Sequence, residues 1–262
     1  MQIVLDSPAI KVMQSAFYQT NTAMIVLPGL TLLTDPGWIP HEVAFIQKQL
    51  HDHNQPLFLA FTHADYDHLA GSGAYSNCRN IMSTTMAEKT QREKVIQKIA
   101  DLDQQFYFVR PYKVTFPYPD IVIYSPEQHF SINNNEFIAL LIPGHSAEDM
   151  ALYNLDLGIL VLGDYLSKLE FPFIEYNYAS YYTSLDRLHQ FISLYKPKLI
   201  VPGHGPYYED YRETLHRISI DLSYLENLKV NSQPWEEWAG SYTFAESLLS
   251  AHQNNLKYMV PR

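Results

Sequence analysis

Thr62-His63-Ala64-Asp65-Tyr66-Asp67-His68 is the stretch that decides the reading of this chain. It follows an almost wholly apolar run, Leu57-Phe58-Leu59-Ala60-Phe61, which reads as a buried strand. The strand therefore opens into a turn that carries two histidines and two aspartates between residues 63 and 68. Carboxylates this dense repel one another unless a cation or a set of donors holds them. Imidazole together with carboxylate suits zinc, iron or manganese better than calcium or magnesium.

Three later segments have the same form. Pro143-Gly144-His145-Ser146 follows the apolar run from Ile138 to Ile142. Gly163-Asp164 follows Gly158-Ile159-Leu160-Val161-Leu162, and Pro202-Gly203-His204-Gly205 follows Leu199-Ile200-Val201. Each time a hydrophobic strand ends and a His or Asp stands in the turn. Strands deliver side chains at their ends, and glycine lets the backbone turn sharply there.

In order, Asp35-Pro36-Gly37, His63 to His68, His145, Asp164 and His204 resemble the motif series of the metallo-β-lactamase superfamily of hydrolases. The resemblance runs from Thr22 to Tyr208, most of the chain. It implies an α/β fold, a four-layered αββα sandwich with the metal site at one edge of the sheets. It also implies two divalent metal ions, zinc by default, with iron or manganese as alternatives. Carried over by position, His63, Asp65 and His145 would hold the first ion. Asp67, His68 and His204 would hold the second, and Asp164 would bridge them. The family pattern usually reads His-x-His-x-Asp-His, and Asp65 here replaces its second His. Asp65 can ligate through one oxygen, or stand back and hold a water or an outer hydrogen bond. An added carboxylate makes the set harder and more anionic, which moves preference from zinc toward iron or manganese.

Composition sets the bounds. A chain of 262 residues with 47% apolar side chains can bury a substantial core. No Gly/Ser-rich or Pro-rich linker and no repeat interrupts it, so residues 1–262 read as a single domain, with C-terminal helices from about residue 208. The net charge of −10 and the lack of a clustered basic patch argue against nucleic acid. The densest basic stretch, Lys89 to Lys98, contains Glu93 and reads as a solvated helix face. A single cysteine, Cys78, excludes an intrachain disulfide and suits a reducing compartment; it reads as a small buried residue. The N-terminal residues lack a signal peptide's pattern, and no run approaches membrane-spanning length. Cytoplasmic residence is the expectation, with a small-molecule substrate and a possible homodimer.

Periodicity organises the rest. Strand-like runs fill Ile10 to Thr34, broken at Asn21-Thr22 and Pro28-Gly29. Helices are predicted over His41–Leu50, Thr85–Gln105, Ser180–Tyr195, Tyr208–Leu228 and Thr243–Leu256. Strands are predicted at Leu57–Phe61, Asn80–Ser83, Ile121–Tyr124, Phe130–Ile132, Phe137–Ile142, Ala151–Leu155, Ile159–Leu162 and Leu199–Val201. Strands followed by helices in both halves suggest two sheets face to face with helices outside.

Other histidines lack such a setting. His51 and His53 lie in a polar segment that reads as surface loop, His41 follows Pro40 at a helix start, and His189, His216 and His252 fall in predicted helices. Asp35 can close an Asx-turn or support the metal loop from beneath. Two segments qualify as substrate wall, lid or dimer contact. One is Tyr165 to Tyr182, rich in Tyr and Phe with Glu170 and Glu175; the other is Thr85 to Tyr118.

The resemblance implies hydrolysis by a metal-bound hydroxide of a small-molecule ester, lactone, thioester or phosphodiester. Asp67 is then the catalytic residue that orients the hydroxide and carries a proton. The sequence offers no Gly-x-Ser-x-Gly alternative. Two other readings stay open: a non-hydrolytic di-iron redox protein related to flavodiiron proteins, and a non-catalytic metal-binding member of the family.

Overall fold

The computed structural model describes residues 1–51, 54–230 and 235–259. His53 therefore lies outside the described residues. Seven strands form the first sheet in chain order: β1 (Gln2–Asp6), β2 (Ile10–Gln14), β3 (Asn21–Leu27), β4 (Leu30–Thr34), β5 (Leu57–Ala60), β6 (Cys78–Ser83) and β7 (Ile121–Ile123). The first four run antiparallel as hairpins, and β4 to β7 run parallel. The parallel part needs crossovers. These are α1 (Pro40–Leu50), then α2 (Tyr66–Leu69), then α3 (Thr84–Ala87) with α4 (Arg92–Phe106).

The second sheet holds β8 (Glu127–Ile132), β9 (Asn135–Leu141), β10 (Met150–Asn154), β11 (Ile159–Val161) and β12 (Leu199–Val201). All its pairs are antiparallel except β11 with β12. α5 (Tyr178–Tyr195) is the crossover between those two, and α6 (Tyr211–Val230), α7 (Trp235–Ala239) and α8 (Leu249–Met259) follow. The side-chain period of two sorts each strand between layers. Phe137 and Ala139 face Leu32 and Phe58 between the sheets, while Ile138 and Leu140 face outward to Leu185, Leu188 and Ile192 of α5. On the other side Leu33 and Leu59 pack on Val43 and Ile46 of α1. The result is the expected αββα sandwich. Each fully buried Leu or Ile contributes about 1.5–3 kcal/mol to holding the layers together.

Local differences from the sequence reading have local causes. Asn21 begins β3 instead of breaking a strand, because its side chain is drawn to the Pro202 and Gly205 carbonyls at 2.9 and 2.8 Å. The helix expected over Thr85–Gln105 is two. Ser83 caps α3 by accepting from the Met86 N–H, and the chain turns between 88 and 91, where Lys89 pairs with Glu148 and Arg92 donates to the Ala87 carbonyl. Lys89 is thus an ion-pair partner, not part of a solvated helix face. Tyr208 pairs with Ile200 as an isolated bridge, so α6 starts later than predicted. The last predicted helix opens with a tight turn at Ala245–Leu248. β1 and α7 have no counterpart among the elements expected from the sequence. Cys78 is half-buried, with its thiol donating to the Tyr75 carbonyl and pushed up in pKa by burial. Among the described residues no helix is long and apolar enough to cross a membrane.

Candidate metal centre

The parallel register aligns Thr34, Ala60 and Ile81 across β4, β5 and β6, and aligns Val161 with Val201 across β11 and β12. The turns that follow β4, β5, β9, β11 and β12 therefore meet at one edge of the sandwich. Met150 N–H donates to the Thr62 carbonyl at 2.8 Å and Asn21 N–H to the Gly203 carbonyl at 2.7 Å, tying the sheets there. Glycine permits the closest approach: a Cβ on Gly203 would stand 2.3 Å from Asp164 Oδ1 and 2.8 Å from the Gly163 carbonyl carbon.

All seven candidate ligands reach this edge. Among the described residues, three groups place their ligating atoms within 4.8 Å of one another: His63, Asp65 and His145; His63, His68 and Asp164; Asp67, His68 and His204. Asp164 faces two ways. Its Oδ1 lies 3.1 Å from His68 Nε2 and 3.2 Å from His204 Nε2; its Oδ2 lies 3.6 Å from His63 Nε2 and 3.5 Å from His145 Nε2. Asp65 Oδ2 is 3.6 Å from His145 Nε2 and 4.0 Å from His63 Nε2. Asp67 Oδ2 is 3.5 Å from both His68 Nε2 and His204 Nε2.

Every imidazole is oriented through its other nitrogen. Asp35, at φ 45°, accepts from the Thr62 N–H at 2.9 Å and the Thr62 hydroxyl at 2.7 Å. With its hydrogen committed to Asp35, that hydroxyl accepts from His63 Nδ1–H at 3.0 Å. His68 Nδ1–H donates to Asp35 Oδ2 at 3.0 Å, His145 Nδ1–H to the Phe173 carbonyl at 3.1 Å, and His204 Nδ1–H to the Tyr18 carbonyl at 2.9 Å. Donation at Nδ1 leaves the Nε2 lone pair pointing inward on all four. Asp35 thus supports the loop from beneath, the second of its two sequence readings.

This donor set fits a cation. His63 Nε2, His145 Nε2 and Asp164 Oδ1 are buried without a hydrogen-bond partner. His68 Nε2 and His204 Nε2, two lone pairs, face each other at 3.4 Å. Buried acceptors with no donor are costly unless something positive sits among them. Protons respond to the same field. Burial opposes charge on His204, yet Asp164 and Glu170 lift its pKa to about 10. Burial likewise opposes charge on His145, where the Asp65 and Asp164 carboxylates win and raise it well above the usual imidazole value. His63 goes the other way, lowered by burial and by His68. Asp164 is held far below the carboxylate range by His204 and His68 despite its burial.

The chain belongs to the metallo-β-lactamase superfamily. The profile described as Metallo-beta-lactamase superfamily matches residues 16–204. No curated protein matches the chain. Solved structures share the superfamily fold at low identity. A metallo-beta-lactamase from Pontibacter korlensis is 20% identical, with a TM-score of 0.60 over 86% of this chain and 99% of that one. The stereoselective inverting sec-alkylsulfatase Pisa1 from Pseudomonas sp. is 11% identical, with a TM-score of 0.73 over 95% of this chain and 49% of that one, so this chain spans about half of its length. The chemotaxis sensor ODP, solved as a peroxy diiron species, is 15% identical, with a TM-score of 0.55 over 86% of this chain and 94% of that one.

Several residues of the centre had no signal in the sequence. Thr20 donates its hydroxyl to Asp67 Oδ2 at 3.0 Å. Tyr18 and Gln19 both adopt left-handed backbone, φ 53° and 49°, which aims the Tyr18 carbonyl at His204 and the Gln19 carbonyl at the Gly205 N–H, 3.0 Å away. Asp149, buried, accepts from the Ser146 N–H at 2.7 Å and the Ser146 hydroxyl at 2.6 Å and closes the His145 turn. The segment from Tyr165 to Tyr182 is chiefly structural. Tyr165, Phe171 and Tyr181 are core residues, and the Phe173 carbonyl orients His145. Its two acids lie near the centre: burial pushes both up, Glu170 in the field of His204 and Asp164, Glu175 in that of Asp65 and His145.

Proposed function

We propose that the chain is a metal-dependent hydrolase whose donor set would hold two divalent ions, with Asp164 shared between them. The observation that supports this is the division of the Asp164 carboxylate, one oxygen toward His68 and His204 and the other toward His63 and His145. His63, Asp65 and His145 would hold one ion, and Asp67, His68 and His204 the other. Two such ions supply Lewis acidity and a water ionised near neutral pH. The chain's own groups do the remaining work. The Nδ1–H bonds of the four imidazoles keep the donors from reorienting. Thr20 steadies the Asp67 carboxylate through Oδ2, and Asp67 would orient a water and carry its proton to the leaving group. Ester, lactone, thioester and phosphodiester bonds all suit this chemistry. The balance of charge, −10 overall, does not favour a nucleic-acid substrate.

Asp65 supports a second reading. A carboxylate where the family usually has imidazole makes the set harder, which suits iron, and one fold neighbour is a di-iron sensor. Elemental analysis of protein purified without added metal separates the two. The hydrolase reading expects two ions per chain. It also expects turnover of an ester, lactone, thioester or phosphodiester panel that chelation abolishes and metal restores. Fewer than one ion per chain after reconstitution in zinc, iron and manganese overturns it. Two irons without hydrolysis, and a reaction with dioxygen, replace it by the di-iron reading.

A further inference from the structure

His145 takes its orientation from the long connection between β11 and α5. Residues 163–177 run between β11 and α5 without regular structure. That strap brackets His145 from two directions. The Phe173 carbonyl accepts from His145 Nδ1–H at 3.1 Å, and the Glu175 N–H donates to the His145 carbonyl at 3.0 Å. Backbone this deep needs partners for its own polar groups. One side chain supplies two of them. Asn255, on α8 and 2% exposed, accepts from the Ile174 N–H at 2.9 Å and donates to the Pro172 carbonyl at 2.6 Å. Its amide does for the strap what a neighbouring strand does in a ladder. Asn255 is itself fixed by donating to the Tyr224 hydroxyl at 3.0 Å, which in turn bonds His252 Nδ1 at 2.9 Å. At the outer end Tyr258 donates its hydroxyl to the Glu175 carbonyl at 2.9 Å.

We infer that Asn255 is a positioning residue for His145: through Pro172–Glu175 it sets the direction of the His145 Nε2 lone pair and so the affinity of the His63–Asp65–His145 half of the centre. Residue 255 lies well beyond the family match, which ends at 204. α8 is thus outside the matched family segment and is wired to one half of the centre. His63, His68 and His204 are oriented by Thr62, Asp35 and Tyr18, and among the described residues none of these three hydrogen-bonds to α8, so the effect is one-sided.

The affinity part of this inference rests on the proposed metal centre; the orientation part does not. The experiment therefore has two arms on the full chain. In metal-free protein, nitrogen-correlated NMR of the imidazoles reads the Nδ1–H of each histidine and its exchange with water. Asn255→Ala should expose the His145 Nδ1–H to exchange and leave the His204 signal unchanged. In zinc titrations against a chelating dye, the same variant should weaken one site by about 10–100-fold, the usual effect of losing an outer partner of a ligating imidazole, and leave the other within a few-fold. Tyr258→Phe removes only the Glu175 bond from a partly exposed ring and is the milder variant should Asn255→Ala fold poorly; it should move the same His145 signal by less. Leu228→Ala, a truncation in the same outer core, controls for general loosening. An unchanged His145 signal in both variants overturns the inference. So does equal weakening of the two sites, or the same pattern from Leu228→Ala. A wild-type chain that binds no zinc, iron or manganese overturns the proposed function instead, and the NMR arm still decides the role of Asn255.

Discussion

Replacing Asp164 by Asn should damage the centre more than replacing Asp65 by Asn, and on both sides instead of one. Each exchange keeps the shape and removes one negative charge. Asp164 is within 3.6 Å of all four Nε2 atoms, two per oxygen, and its side chain is 12% exposed. Asp65 reaches only His145 and His63, through one oxygen at 3.6 and 4.0 Å, and is 28% exposed. Unit charges about 4 Å apart interact by about 4 kcal/mol where the effective dielectric is near 20. Water and the retained amide oxygen recover part of that. About 3 kcal/mol per site remains a fair figure for Asp164→Asn, or on the order of 100-fold weaker binding at each of two sites. For Asp65→Asn, with water able to enter, on the order of 10-fold at one site is expected. Competition titration with a chromophoric chelator, combined with metal counting by mass spectrometry, reads both numbers. Equal losses in the two variants, or loss confined to one site in Asp164→Asn, would refute the bridging geometry.

Three further outcomes follow from the same contacts. Asp65→His should tilt competition between zinc and manganese toward zinc, because a neutral nitrogen replaces a hard oxygen; an unchanged ratio would show that Asp65 does not touch the ion. Asp35→Ala should cost about 3 kcal/mol or more in urea unfolding of the metal-free protein, since it strands the buried Thr62 N–H and frees His68; a cost under about 1 kcal/mol would contradict the support role. Asp149 is raised to about 7 by burial, only partly offset by His145 and Ser146. The folded state thus holds a proton that the unfolded state releases near pH 4. Its contribution to stability then falls as pH rises from about 4 to about 7, by up to about 4 kcal/mol. Asp149→Asn should flatten that slope in chelator-treated protein, as measured by denaturation at a series of pH values; the wild-type slope retained in the variant would exclude Asp149 as its source.

The candidate ligands were legible in the sequence because each stands directly after an apolar run. A strand end is a local feature: a hydrophobic stretch, a glycine, then a polar side chain, all within a few residues. The layered fold followed from the same runs, since period two in the strands and the apolar faces of α1 and α5 leave few ways to bury both. Asp35 could be placed in its turn, but its bonds to Thr62 and His68 could not, because they join residues 27 and 33 positions apart. What only the tertiary structure decided was how the ligands are aimed. Three of the groups that aim them, the Tyr18 and Phe173 carbonyls and the Thr20 hydroxyl, are a backbone atom or a common side chain with no pattern of its own. Any residue carries a carbonyl, so a composition or a period cannot mark the one that matters. The Tyr165–Tyr182 segment shows the same limit. Its aromatics suggested a substrate wall, lid or dimer contact, and the structure places Tyr165, Phe171 and Tyr181 in the core, half-buries Phe173 and Tyr178, and leaves Tyr176 and Tyr182 exposed. An aromatic ring is apolar enough for a core and polar enough for a mouth, and only its neighbours in space determine which it becomes.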